Sequence, residues 1–132
     1  MIYLDTSVVL AELLSEDTHP GPAFWSGGPF VSSRLLEYEL WVRIHGRGLA
    51  QSHGELARDF LSGLALVELA PPVLARALDP FPVPVRTLDA LHLATVDFLR
   101  RQGQRPTLAS YDRRLSEAAA ALGVPVADLG AR

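Results

Sequence analysis

Two short apolar runs each break into an aspartate that opens a helical pattern, and this unit narrows the folds open to the chain more than any other feature. The first is Ile2-Tyr3-Leu4 followed by Asp5-Thr6-Ser7; the second runs from Thr107 to Tyr111 and meets Asp112. Runs this short are buried strands rather than helices. Further strands are predicted over residues 30–32, 65–69 and 124–127. Helices are predicted over residues 7–14, from Ser33 to the glycines of HGRG, and over 52–62, 71–78, 86–101 and 112–122, with a short helical stretch at 23–25 inside a loop. Strands alternating with helices give a mostly parallel sheet with helices on both faces, an α/β fold. On the longest helix, Leu88, Leu91, Thr95, Val96 and Leu99 are expected to line the packed side.

The totals exclude several chemistries. The 132 residues fit one domain, residues 1–132, and 48% hydrophobic content is enough for a core. No cysteine is present, so disulfides, zinc–thiolate sites and thiol catalysis are out. All 12 basic residues are arginine. A receiver domain or an aspartyl-phosphate phosphatase needs a lysine near the phosphoryl group, and the latter also needs a DxD where this chain has Asp5-Thr6-Ser7. The N-terminus lacks a basic segment and carries Asp5, so it reads as a poor signal peptide. The most apolar stretch, Leu61 to Ala75, is broken by Glu68, Pro71 and Pro72, so no membrane span is expected. A cytoplasmic protein follows as the expectation.

Four acids stand out by context. Asp5 and Asp112 follow strands, where ligands bind in open α/β sheets. Each also sits where a helix N-cap belongs, and the two readings compete. If Thr6 and Ser7 cap the first helix, the Asp5 carboxylate is free. Glu39 lies mid-helix among Leu35, Leu36, Val42 and Arg43, so it points to a buried face, where an unpaired carboxylate is costly; Arg43 is its alternative partner. Glu37 instead faces Arg34 as a surface pair. Asp89 lies in the first turn of its helix, ahead of the apolar ALHLA. Adjacent parallel strands would bring Asp5 and Asp112 to one sheet edge. Like charges gathered there repel, and a divalent metal relieves them. The formal charge of −3 includes −4 from these acids, so two divalent ions would leave about +1.

The segments IYLDTSVV, SSRLLEYEL, RTLDALHLATV and ASYDRRLSEAAAALGV resemble those of PIN-domain nucleases, and specifically VapC-type toxins, in order along nearly the whole chain. The resemblance implies a three-layer α/β/α sandwich with a mostly parallel central sheet. It also implies an endoribonuclease dependent on Mg²⁺ or Mn²⁺, with Asp5, Glu39, Asp89 and Asp112 as the catalytic, metal-binding acids. Thr6 and Ser110 match positions where the family often has a hydroxyl near the metals. The implied reaction is in-line attack of water on RNA, leaving 5′-phosphate and 3′-hydroxyl ends. Implied partners are RNA, a cognate VapB-type antitoxin and a second copy in a homodimer. A non-catalytic PIN-like module that binds protein or RNA is the alternative, and an rRNA-processing PIN enzyme a third.

Single residues stay open at this level. Arg86, one turn before Asp89, is a phosphate clamp or a structural ion pair. Arg113 and Arg114 either steer RNA or form a solvated face. His92 is expected in a core or hydrogen-bonding role, Ser33 as a helix cap, and Trp25 and Trp41 in the core or a dimer interface.

Overall fold

The computed structural model describes residues 1–129. Its strands are β1 (Ile2–Leu4), β2 (Phe30–Ser33), β3 (Ala65–Val67) and β4 (Thr107–Ala109). They form one parallel sheet in the order β3-β2-β1-β4. Helices α1 (Thr6–Leu13), α2 (Pro22–Trp25), α3 (Arg34–Gly46), α4 (Ala50–Ser62), α5 (Pro71–Leu78), α6 (Thr87–Arg101) and α7 (Arg113–Ala121) complete the described chain.

The period of two along the strands builds the layers. Tyr3 and Leu108 face one way and pack with Leu93, Val96 and Leu99 of α6 and with Leu115, Ala118 and Ala119 of α7. Leu4 and Ala109 face the other way, against Val8 and Val9 of α1, Leu36, Leu40 and Ile44 of α3 and Ala57 and Leu61 of α4. The sheet is thus covered on both faces, as parallel sheets require, and the expected three-layer α/β/α sandwich is present. Strand order reverses at β1. The carboxyl ends of β1 and β4, in register from Ile2↔Thr107 to Leu4↔Ala109, therefore form a switch point where a ligand crevice belongs.

Local signals act as expected at most boundaries. The Ser33 hydroxyl accepts from the Leu35 amide at 3.0 Å and caps α3. Pro71 and Pro72 open α5, where a missing N–H costs nothing. Gly123 follows α7 with φ +82°, a conformation that favours glycine. Two expectations fail. The strand predicted over residues 124–127 is a single bridge, Leu108↔Val126, with Leu108 N–H donating to Pro125 O and Ala127 N–H to Leu108 O. Pro125 has no N–H to extend it. On α6 the packed side is also shifted. Leu88 is 48% exposed, whereas Asp89, His92, Leu93, Val96 and Leu99 are buried.

Helix α5 is tied to α6 by an ion pair. Arg76 Nε donates to Asp97 Oδ2 at 2.7 Å, and its guanidinium lies over the Phe81 ring at 4.2 Å from the centroid. Both side chains are largely buried, so removing one leaves the other charge poorly solvated. Asp97→Ala or Arg76→Ala is expected to cost on the order of 3 kcal/mol in urea unfolding. The double variant should cost clearly less than the sum of the two; additive losses would contradict the pairing.

Candidate active site

All four acids line one cavity of about 640 Å³ at the carboxyl ends of β1 and β4. Asp5 and Glu39 are held by separate sets of partners, and Asp89 and Asp112 share one. The backbone N–H of Asp5 donates to Ala109 O at 3.0 Å, continuing the β1–β4 ladder. Its Oδ2 accepts from the hydroxyls of Ser7, at 2.7 Å, and Ser110, at 2.8 Å. Asp5 makes no side-chain cap to α1, and neither Thr6 nor Ser7 does so in its place. The two hydroxyls are spent on acids instead. Ser7 Oγ also accepts from the Tyr111 N–H, and Ser110 Oγ from the Asp112 N–H. Both serines thus pin the β4 end to the β1 end.

Glu39 projects from the middle of α3. Its Oε1 accepts from the Thr6 hydroxyl at 2.8 Å and meets His92 Nε2 at 2.6 Å. His92 is only 2% exposed, and its Nδ1 lies 2.7 Å from the Tyr3 hydroxyl. Burial drives the Tyr3 pKa far upward, so the phenol keeps its proton. A carboxylate only accepts, so Nε2–H donates to Glu39; with neutral imidazole, Nδ1 then accepts from Tyr3. Arg43, expected as the alternative partner of Glu39, makes only a distant electrostatic contribution.

Burial is the largest influence on the Glu39 carboxyl and pushes its pKa up. The His92 hydrogen bond, the Thr6 hydroxyl and Arg43 act against it, and the group sits below its ordinary value of 4.5.

Asp112 is the N-cap of α7 and also pairs with an arginine. Oδ1 accepts from the Arg114 and Leu115 amides at 2.9 and 3.3 Å and caps α7, while Oδ2 accepts from Arg86 Nη2 at 3.2 Å. Arg86 Nε also donates to Asp89 Oδ2 at 3.3 Å. Arg86 is therefore an ion-pair residue that bridges two of the acids.

Arg113 lies away from the cavity and faces Glu117 at 3.9 Å; Arg114 does not line it either. The cationic wall is made instead by Arg43, Arg47 and Arg86. The sequence reading missed Arg43 and Arg47 in this role. Their spacing of four and eight residues from Glu39 puts all three on one helix face and could have found them. It missed Ser7 as a holder of Asp5 as well. Trp25 packs edge-on to Phe24 and Phe60, and Trp41 lies beneath the Arg58 guanidinium.

Among the described residues, no group of three or more acids and histidines is gathered as a ready metal cage. The donor chemistry nevertheless suits a hard divalent cation. The cavity offers carboxylate oxygens, and Asp5 Oδ1 and Glu39 Oε2 take no hydrogen bond among the described residues. Magnesium and manganese sites of this type complete their shells with water.

Residues 2–121 match the PIN domain family model. The chain belongs to the PIN-domain family. Ribonuclease VapC47 of Mycobacterium tuberculosis is 32% identical over 137 residues, covering 99% of this chain and 98% of that protein. Ribonuclease VapC46 of the same organism is 33% identical over 127 residues, covering 95% of each. Within PIN domains, then, the chain groups with the VapC ribonucleases. Two solved structures share the fold. A toxin–antitoxin complex from Klebsiella pneumoniae has TM-score 0.67 at 18% identity over the full length of both chains. VapC20 of Mycobacterium tuberculosis, a sarcin-ricin loop cleaving toxin, has TM-score 0.69 at 19% identity over 89% of this chain and 95% of that one.

A depressed carboxyl contributes stability above its ordinary value and loses it as pH falls through the lower folded value. Wild type should therefore lose its advantage over Glu39→Gln as pH falls below 4.5. Urea unfolding of both proteins across acidic pH measures this; a gap that widens toward acid would contradict it.

Proposed function

We propose that this PIN-domain protein is a VapC-type endoribonuclease toxin of a type II toxin–antitoxin module, dependent on Mg²⁺ or Mn²⁺. The observation that carries the proposal is the convergence of Asp5, Glu39, Asp89 and Asp112 in one cavity whose wall supplies Arg43, Arg47 and Arg86. Acids for a metal beside arginines for phosphate are the two requirements of phosphodiester hydrolysis. The kinship with VapC ribonucleases supports RNA as the substrate.

In this reading Asp5 and Asp89 hold the metal directly, and Glu39 and Asp112 do so directly or through water. When bound, the ion supplies charge neutralisation and an activated water. The protein's own part is orientation. Ser7 and Ser110 fix the Asp5 carboxylate, Thr6 and His92 fix Glu39, and the arginines draw the RNA backbone over the acids. The products carry 5′-phosphate and 3′-hydroxyl ends.

The likeness to a toxin–antitoxin complex supports an antitoxin partner. An apolar hollow of about 710 Å³ beside the acidic cavity, lined by Leu74, Leu78, Phe81, Val83 and Val85, suits the partner's apolar segment. We place the protein in the cytoplasm as a homodimer. Among the described residues no helix is long and apolar enough to cross a membrane.

The test is a map of new 5′-phosphate RNA ends after brief induction, wild type against Asp89→Asn. Sharp ends present only with wild type are expected, and they name the RNA. Identical maps from two folded, antitoxin-free proteins would contradict the nuclease reading and favour a binding module. In purified protein, Ser110→Ala should slow cleavage roughly 10–100-fold, the usual cost of losing a residue that orients a ligand; an unchanged rate would remove Ser110 from the site.

A further inference from the structure

Asp112 has two carboxylate oxygens, and both are engaged. Oδ1 caps α7 through the amides of Arg114 and Leu115. Oδ2 is held by Arg86, which at the same time holds Asp89 Oδ2. The cap belongs to the fold and cannot be given up without fraying α7. Asp112 is thus open to another cation only through Oδ2, and Arg86 stands on that atom.

The two halves of the cluster are held differently. Asp5 and Glu39 are fixed by neutral hydroxyls and by the buried His92. Asp89 and Asp112 are fixed by a full positive charge whose side chain is 62% exposed, while those of Asp89 and Asp112 are 12% and 30% exposed. Hydroxyls relieve a carboxylate's desolvation but not its repulsion from a second carboxylate; a guanidinium relieves both. An ion pair whose cation stands in solvent at 3.2–3.3 Å is readily exchanged. Arg86 also borders the neighbouring apolar hollow, so it has space to turn into.

We infer that Arg86 is an exchangeable counter-cation of the acidic cluster. It bridges Asp89 and Asp112, a divalent ion recruits Asp112 only by displacing it, and the released guanidinium is then free for the substrate phosphate. This inference rests on the metal-dependent reading of the site. It makes Arg86 a positioning residue that couples metal occupancy to phosphate binding, and by linkage each event favours the other.

The test is Mn²⁺ binding without RNA, followed by the electron paramagnetic resonance of free Mn²⁺, in wild type, Arg86→Gln, Arg86→Lys and Asp89→Asn. Neutral Arg86→Gln should bind Mn²⁺ about fivefold or more tighter than wild type, the lower end of ordinary coupling between sites. Arg86→Lys keeps the charge and should remain close to wild type, whereas Asp89→Asn should lose affinity. A residue that merely braces the site would move the other way, since its loss would loosen the acids and weaken binding. Equal or weaker binding by Arg86→Gln, with wild type still binding through Asp89, overturns the counter-cation inference and leaves the metal site standing. Absence of Mn²⁺ binding in wild type and Arg86→Gln alike overturns both. Tight binding by Arg86→Gln alone supports the inference in its strongest form.

Discussion

Repulsion among four carboxylates at one sheet edge is the constraint around which the rest of this molecule is arranged. No single partner answers it. Asp5 is pinned by two serine hydroxyls, Glu39 by Thr6 and a buried histidine, and Asp89 and Asp112 by one arginine. The partners come from α1 and α6, from the turn after β4 and from the residue that precedes α6. The cluster therefore exists only when the sheet is formed and both helical layers are docked. The serines that hold Asp5 also accept backbone N–H groups from the β4 end, so the fold and the site share the same hydrogen bonds.

Much of this was legible in the residues. The β1 and β4 runs, with the aspartates that follow them, placed two acids at one edge, and the alternation of strands with helices gave the parallel sheet covered on both faces. The parts that were not legible fail for physical reasons. The buried stripe of α6 begins with Asp89 and His92, because its first two turns face the site rather than a hydrophobic layer. Apolar periodicity therefore finds Thr95, Val96 and Leu99, which are buried, but puts exposed Leu88 in the core. The last strand was expected from Val124 and Val126, but Pro125 allows only a bridge.

The site shows the same pattern. The acids were visible because carboxylates at strand ends and on a helix's buried face are unusual. Of their holders Ser7 was hidden, since a serine is equally common as a cap. Ser7 reads only as a cap, and Thr6 as a cap or a hydroxyl near the acids, yet the structure commits both to carboxylates. Arg43 and Arg47 were legible in their spacing from Glu39, which sets all three on one face of α3 and into the cavity.

The most direct test of the metal-binding account is a crystal grown with Mn²⁺ and measured at a wavelength where manganese scatters anomalously. The expected result is an anomalous peak at about 2.1 Å from carboxylate oxygens of Asp5 and Asp89. A map with no peak in the cavity, or with manganese bound only elsewhere on the surface, would contradict it.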